Sequence, residues 1–183
     1  MLPTVTERLV LRTFAESDLD DLYDIQRRPD VARYLLWDAR TRDETRTALA
    51  KRIQQTDLKA EGDNLAIAVA LRESGKLIGD FNLEWLSADL GRAEIGFVMN
   101  PDYAGKGYAT EAAREVLRLA FTTYAFHRVI GLCNGENHAS QHLMERLGMR
   151  REAYFRQSEI LKGKRVDLAV YAILADEWSH VDV

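Results

Sequence analysis

The run Ala93-Glu94-Ile95-Gly96-Phe97-Val98-Met99-Asn100-Pro101-Asp102-Tyr103-Ala104-Gly105-Lys106-Gly107-Tyr108-Ala109-Thr110-Glu111-Ala112 decides how this chain folds. Residues 92–99 alternate as a half-buried strand should, with Ala93, Ile95, Phe97 and Met99 on one face and Glu94, Gly96 and Val98 on the other. Asn100-Pro101-Asp102 ends the alternation. From Ala109 onward Ala112, Ala113, Val116, Leu117, Ala120 and Phe121 keep a helical period, while Glu111, Arg114, Glu115 and Arg118 take the wet face. Between strand and helix lies Gly105-Lys106-Gly107. Glycines let consecutive N–H groups turn toward one point, and a helix N-terminus adds partial positive charge, so strand, GKGYA and helix together predict a cradle for an anionic phosphate. The spacing is not the GxxxxGK[ST] of the nucleotide P-loop, and no third glycine completes GxGxxG.

Upstream, residues 65–72 (LAIAVALR) are apolar on both faces, as in a central strand, and a Glu73-Ser74-Gly75-Lys76 turn leads into a second arm. In that arm Leu77, Gly79, Phe81, Leu83 and Trp85 are expected on one face and Asp80, Asn82 and Glu84 on the other. Residues 8–14 (RLVLRTF) read as a further strand, followed by Ser17 as N-cap of a helix that Pro29 ends. A second helix is expected over about residues 43–57, after a loop carrying Tyr34, Leu35, Leu36 and Trp37. Downstream come a short strand at 129–133, a helix at 139–147 closed by Gly148, and strands at 150–161 and 165–174 joined by Lys162-Gly163-Lys164. The order predicts a single α/β domain over 1–183, its mixed, mostly antiparallel central sheet of about seven strands flanked by about four helices.

Composition narrows the function. The 183 residues hold 25 Lys+Arg against 29 Asp+Glu, a net charge of -4, which argues against a broad nucleic-acid footprint. The longest apolar run, residues 65–71, is far short of a membrane span, and no basic-then-apolar leader opens the chain, so a cytoplasmic protein without a membrane partner is expected. One cysteine, Cys133, and four histidines without HExxH spacing predict no metal site.

The quoted run resembles the acetyl-CoA-binding core of the GNAT acetyltransferase superfamily, and more narrowly its RimJ/RimL branch of ribosomal-protein-alanine N-acetyltransferases. The likeness extends to Glu7-Arg8-Leu9-Val10-Leu11-Arg12, His127-Arg128, Glu136-Asn137-His138-Ala139-Ser140, Glu145-Arg146-Leu147-Gly148-Met149, Tyr171-Ala172-Ile173-Leu174 and Glu177-Trp178. It implies acetyl-CoA as co-substrate. The family's Gln/Arg-x-x-Gly-x-Gly/Ala loop falls on Ala104, Gly105, Lys106, Gly107, Tyr108 and Ala109, and its amides, with those of the first turn through Thr110, hold the CoA pyrophosphate. Ala104 departs from the usual Gln or Arg, a loss the backbone donors and Lys106 offset. Val98 and Met99 fall where the family's strand meets the pantetheine arm and an amide polarises the thioester carbonyl. Asn137 and Ser140 fall in the Asn-x-x-Ser segment beside the thiol.

Amine acetylation requires removing a proton from an ammonium and giving one to the departing thiolate. Glu94 matches the general base of some GNAT enzymes; its residue pattern equally fits a strand carboxylate solvated or paired with Arg92. Met144 stands where most of the superfamily has a tyrosine acid, and the RimJ/RimL branch points instead to Ser140, which together with Asn137 could equally cap the helix that follows. Trp37, Trp85, Tyr154, Glu84 and Glu159 are candidates to shape the acceptor side, although aromatics at such spacing also suit a core. Cys133 reads as a small core residue, and His127 and His142 lack spaced partners. Three functions follow: acetylation of a protein N-terminal α-amine, acetylation of a small amine such as a polyamine, amino acid or antibiotic, or a CoA-binding regulatory module without turnover. A monomer and a homodimer fit the sequence equally.

Overall fold

A computed structural model describes residues 2–178; Met1 and residues 179–183, which fall in the single domain expected over 1–183, lie outside the described residues. The strands are β1 (Thr4–Val5), β2 (Leu9–Arg12), β3 (Asn64–Leu71), β4 (Leu77–Ser87), β5 (Arg92–Met99), β6 (Arg128–Asn134), β7 (Arg150–Leu161) and β8 (Lys164–Leu174). They form one sheet in the order β1-β2-β3-β4-β5-β6-β8-β7. Every pairing is antiparallel except β5 with β6. That exception follows from the amphipathic helix between them, because parallel neighbours need a crossover long enough to carry the chain back across the sheet.

The helices are α1 (Leu19–Gln26), α2 (Pro29–Ala32), α3 (Arg42–Gln54), α4 (Tyr108–Arg118), α5 (His138–Arg146) and α6 (Ala175–Trp178). Among the described residues eight strands and six helices thus replace the expected seven and four. The additions are β1, α2 and α6, two to four residues each and too short to display a period. Ser17 does not cap α1: a 3₁₀ turn over Glu16–Asp18 precedes it, and the Asp18 carboxylate accepts from the Ala15 N–H at 2.8 Å while pairing with Arg12 at 2.7 Å.

Two apolar layers sandwich the sheet. On one face Ile67, Phe81, Leu83, Ile95 and Val129 pack under Ala112, Val116 and Leu117 of α4 and Leu143 and Leu147 of α5. On the other, Ala66, Ala68 and Leu77 pack under Leu22, Ile25 and Leu49 of α1 and α3, with Phe14. Leu77 therefore faces opposite to the expectation. The β3–β4 register slips between Val69 and Ala70, and one extra residue reverses every side chain beyond it, so Ile78 takes the α4 side. The layer of α1 and α3 covers only the β3–β4 half of its face. Over β6 and β7 that face is open, with Leu132 39% and Phe155 51% exposed.

β7 forms the outer edge of the sheet, and its register with β8 breaks between Phe155 and Glu159. There Gln157 adopts a φ of 52° and donates its N–H to the Asp167 carboxylate at 2.8 Å. At the β7–β8 turn the Lys162 ammonium reaches the Ala32 carbonyl at 2.8 Å and Asp38 at 3.0 Å, tying the hairpin to the loop after α2.

Candidate active site

The chain leaves β5 through Asn100, whose buried side chain accepts from the Asp102 N–H at 3.1 Å and starts a 3₁₀ turn over Pro101–Tyr103. Gly105 and Gly107 follow with φ of +75° and +81°, a left-handed backbone that side chains rarely tolerate. Gly107 is the N-cap of α4 and has no side chain to fill that role, so the first-turn amides of Tyr108, Ala109 and Thr110 are left for an outside acceptor. The loop opens onto a cleft of about 910 Å³. Its size suits a large organic ligand, and its anion-binding end suits a phosphorylated one.

Arg8 fixes the outer wall of this cradle. Its guanidinium donates to the Lys106 carbonyl at 2.8 Å, pairs with Glu111 at 2.7 Å and lies 4.6 Å from the centre of the Tyr108 ring. Glu111 also accepts from the Thr6 hydroxyl at 2.5 Å and the Arg8 N–H at 3.0 Å. Burial alone would raise the Glu111 carboxyl, but these donors from Thr6 and Arg8 hold it below its ordinary value. A Cβ on Gly107 would stand 3.3 Å from the Arg8 guanidinium, so the loop has no room for a larger residue without moving the brace. Arg114 and Arg146 also line the cleft, and Arg146 donates to the Thr110 hydroxyl at 3.3 Å.

Beside the cradle the sheet opens. β5 and β6 are registered only at Arg92 with Arg128, Ala93 with Val129 and Glu94 with Ile130. Asn100 donates its N–H to Ile78 of β4 at 2.8 Å, and strand alternation then turns the N–H groups of Phe97 and Met99 toward the gap while Val98 faces β4. Of Val98 and Met99, then, Met99 has the amide available there. The Val98 side chain packs instead against the layer under α1 and α3.

Glu94 ends the registered stretch, with its side chain on the face opposite the cleft. Among the described residues it accepts no hydrogen bond and forms no ion pair. The alternative pairing with Arg92 is absent, and the Arg92 Nε is buried without a partner. Burial, and after it the charge of Glu84 directly across on β4, raises the Glu94 carboxyl to about 7. Gly96 leaves room for Asn82 beside it: a Cβ at Gly96 would stand 2.3 Å from the Asn82 Oδ1.

The capping role at α5 falls to Asn137, whose Oδ1 accepts from the Ser140 N–H at 3.2 Å. The Ser140 hydroxyl has no partner among the described residues, and Ser140 lines the cleft. Met144 is buried against Gly131, the position of the missing tyrosine.

The cleft wall thus brings together Met99, Ala104, Gly105, Gly107, Tyr108, Ala109, Thr110 and Ser140 of the residues expected there. Lys106 contributes its carbonyl to Arg8, and its ammonium lies 5.5 Å from the centre of the Tyr103 ring, which belongs to the wall. Glu94 belongs to the last registered pair before the opening, with its side chain on the other face. Trp85 and Tyr154 lie on the α4 face, opposite to Glu94. Trp85 packs edge-on against Phe126 at 5.5 Å on the α4 side, and Tyr154 donates to Asp167 at 2.8 Å on that same face. Glu159 lies on the exposed edge strand, whereas Trp37 sits beside Asp38, where the β7–β8 turn docks, under the Arg40 guanidinium at 4.5 Å. The Cys133 thiol is pushed up to about 11 by burial, as suits a core residue. Sequence reading missed Thr6, Arg8, Arg114 and Arg146. The one local signal was Glu111, an acidic residue in the first turn beside the glycines.

These features match known proteins. A family model described as an acetyltransferase (GNAT) domain matches residues 8–150. The chain is 34% identical over 176 residues to YnaD of Bacillus subtilis (strain 168), named an uncharacterized N-acetyltransferase, covering 95% of this chain and 98% of that one. A GNAT-family acetyltransferase structure from Bacillus anthracis superposes with a TM-score of 0.83 at 32% identity, over 94% of this chain and 98% of the other. Shorter matches reach B. subtilis YdaF, whose name assigns it provisionally to ribosomal N-acetylation, at 31% over 112 residues, 61% of each chain. They also reach the spermidine N(1)-acetyltransferase of Escherichia coli (strain K12), at 29% over 73 residues, 40% of this chain and 39% of that one. With the cradle, the opened sheet and these likenesses in agreement, the chain belongs to the GNAT acetyltransferases, enzymes that transfer an acetyl group from acetyl-CoA to an amine.

Proposed function

We propose that this N-acetyltransferase acts on the α-amine of a polypeptide N-terminus, by direct attack within a ternary complex. The observation that carries the reading is the opening between β5 and β6, which has an anion cradle on one face and a free carboxylate, Glu94, on the other. Such a layout supports direct transfer, because the two reactants can meet through the sheet without an acyl-enzyme, and proximity then supplies much of the rate.

In this mechanism the loop amides from Gly105 to Thr110 hold the CoA pyrophosphate, and the Met99 amide polarises the thioester carbonyl. Glu94 removes one proton from the acceptor ammonium. The neutral amine attacks the carbonyl carbon, the C–N bond forms and the C–S bond breaks. A second proton leaves the nitrogen as the amide forms, and Ser140 delivers a proton to the thiolate and is restored by that one. The amide keeps one N–H, CoA leaves as the thiol, and Glu94 passes its proton to solvent.

The open strip on the Glu94 face supports a polypeptide acceptor. Leu132, Val170 and Phe155 share that face on β6, β8 and β7, with Leu132 and Phe155 exposed, and an extended chain could lie along it with its amine at Glu94. A second reading, acetylation of a small polyamine, is favoured by the facing carboxylates of Glu84 and Glu94, which suit a dication, and by the name of the E. coli relative. Thiol release measured against peptides beginning Ala, Ser and Met, alongside polyamines, aminoglycosides and amino acids, separates the two. Turnover confined to peptides is expected, and turnover confined to one small amine replaces the first reading with the second.

Three substitutions test the roles. Gly107→Glu places a bulky anion in the cradle and should weaken CoA binding at least about 100-fold by calorimetry. Unchanged affinity would remove the loop from the site. Glu94→Gln should lower kcat/KM about 100-fold at pH 8 and abolish the rise in rate through neutrality. The stability from the neutral Glu94 carboxyl is complete below its unfolded value of 4.5 and is lost as pH rises through about 7, so the same variant should melt higher than the parent at pH 8 but not at pH 4. Ser140→Ala leaves the Asn137 cap intact. It should therefore reduce kcat about 10-fold or more with little change in melting temperature; an unchanged kcat would free Ser140 from the acid role.

A further inference from the structure

We infer that Glu84 is a positioning residue for the reaction: registered directly across from Glu94 and oriented by Asn64, it sets how tightly Glu94 holds its proton and so the pH at which the enzyme becomes active. This rests on Glu94 acting as the base.

The argument begins with the strand pair. Residues directly opposite on antiparallel strands have Cβ atoms roughly 4.5–5.5 Å apart, and two like charges there destabilise the sheet. Nothing in the fold requires a second acid at this place, since the neighbouring positions on the same face of β4 and β5 carry Asn82 and Gly96. Asn64, registered with Glu84 from β3, donates its amide to the Glu84 carboxylate at 3.5 Å, and its own Oδ1 is buried without a partner. The Glu84 carboxylate thus has one partner across the β3–β4 pair, the Asn64 amide.

Among the described residues no cation forms an ion pair with Glu84 or Glu94. Arg92, two residues earlier on the same face of β5, bonds to neither glutamate. Arg128, registered with Arg92 on β6, is engaged by Glu152. Ile130 on β6 and Ala172 on β8 continue the row from Glu94 and are apolar. Arg150 on β7 closes the row and pairs with Glu177 at 2.7 Å. Among the described residues no charged side chain of α1 or α3 pairs with either glutamate: Arg52 of α3 pairs with Asp80 at 3.1 Å, and Asp21 of α1 pairs with Lys76 at 3.4 Å. Glu94 thus meets burial and one negative neighbour. Both effects favour its neutral form, burial the more strongly.

The chemical consequence is a base matched to its task. A carboxylate with an ordinary acidity would be a poor acceptor for an ammonium proton, whereas one that holds its proton until near neutrality is stronger once ionised. Glu84 need not touch the amine to do this. It acts through Glu94.

The test compares the parent with Glu84→Gln, Glu84→Asp and Glu94→Gln, reading kcat and KM against pH with the acceptor found in the panel. Carboxyl 13C titration of Glu94 in the substrate-free protein supplies a second readout. In Glu84→Gln the midpoint of the rising limb, and the Glu94 titration, should move to lower pH by at least about half a unit, with the plateau kcat reduced. Glu84→Asp retains the charge and should keep the midpoint near that of the parent. A Glu94 titration that stays in place, or moves upward, in Glu84→Gln overturns the inference, whatever happens to the rate. Should Glu84→Gln shift the titration as expected while Glu94→Gln keeps the rising limb, it is the base assignment of Glu94 that fails, and the role of Glu84 in the reaction falls with it.

Discussion

β5 and β6 run parallel for three registered pairs and then part, leaving backbone groups of β5 beyond Glu94 that no strand can satisfy. A buried N–H without a partner is costly, so the gap either fills with solvent or with a ligand that offers carbonyl groups at strand spacing. Everything functional in the fold sits around this one unfinished ladder. The α4 crossover, which makes the pair parallel, also brings the glycine loop to the end of β5. The helix dipole therefore ends where the gap begins, and an anion held at the loop can send a chain into the opening.

A cradle built from glycine has a drawback, since the freedom that allows the left-handed turns also allows others. Arg8 answers this from a distance in sequence. It grips the Lys106 carbonyl and Glu111 and covers the Tyr108 ring, so a residue in the bend between β1 and β2 fixes the loop before any ligand arrives. Pre-organisation of this kind lowers the ordering cost of binding. On the other face the site is open, and the polar groups that meet there, Glu84, Glu94, Asn64 and Asn82, come from three adjacent strands, not from loops. Their geometry is as rigid as the sheet.

Much of this was legible in the sequence because it rests on local rules. Period and glycine placement mark β5, the loop and α4, and the alternation of β4 puts Glu84 and Asn82 on the face of Glu94. What was not legible depends on contacts distant in the chain. Arg8 and Thr6 look like ordinary strand-end residues until the fold brings them to Glu111, about a hundred positions later. For Trp85 and Tyr154 the sequence leaves a pocket and a core reading open, and strand parity, which depends on the β7–β8 and β4–β5 registers, places both on the α4 face. Leu77 was misplaced by a single-residue register slip that alternation cannot foresee. Asn137 and Ser140 were ambiguous as a pair; the hydrogen bond between them resolved which one caps the helix.

The break in β7 has a further consequence. This strand is twelve residues long and lies at the rim of the sheet, with one backbone edge unpaired and Phe155 and Ile160 uncovered, a combination that invites another chain to add itself alongside. The Asp167 carboxylate, by capturing the Gln157 N–H and the Tyr154 hydroxyl, forces the strand out of a regular path at its middle. With the bulge, and with Arg150, Arg151, Arg156 and Glu159 spread along it, the rim offers no straight template. One carboxylate on the neighbouring strand β8 thereby helps keep the rim from serving as a template for another chain.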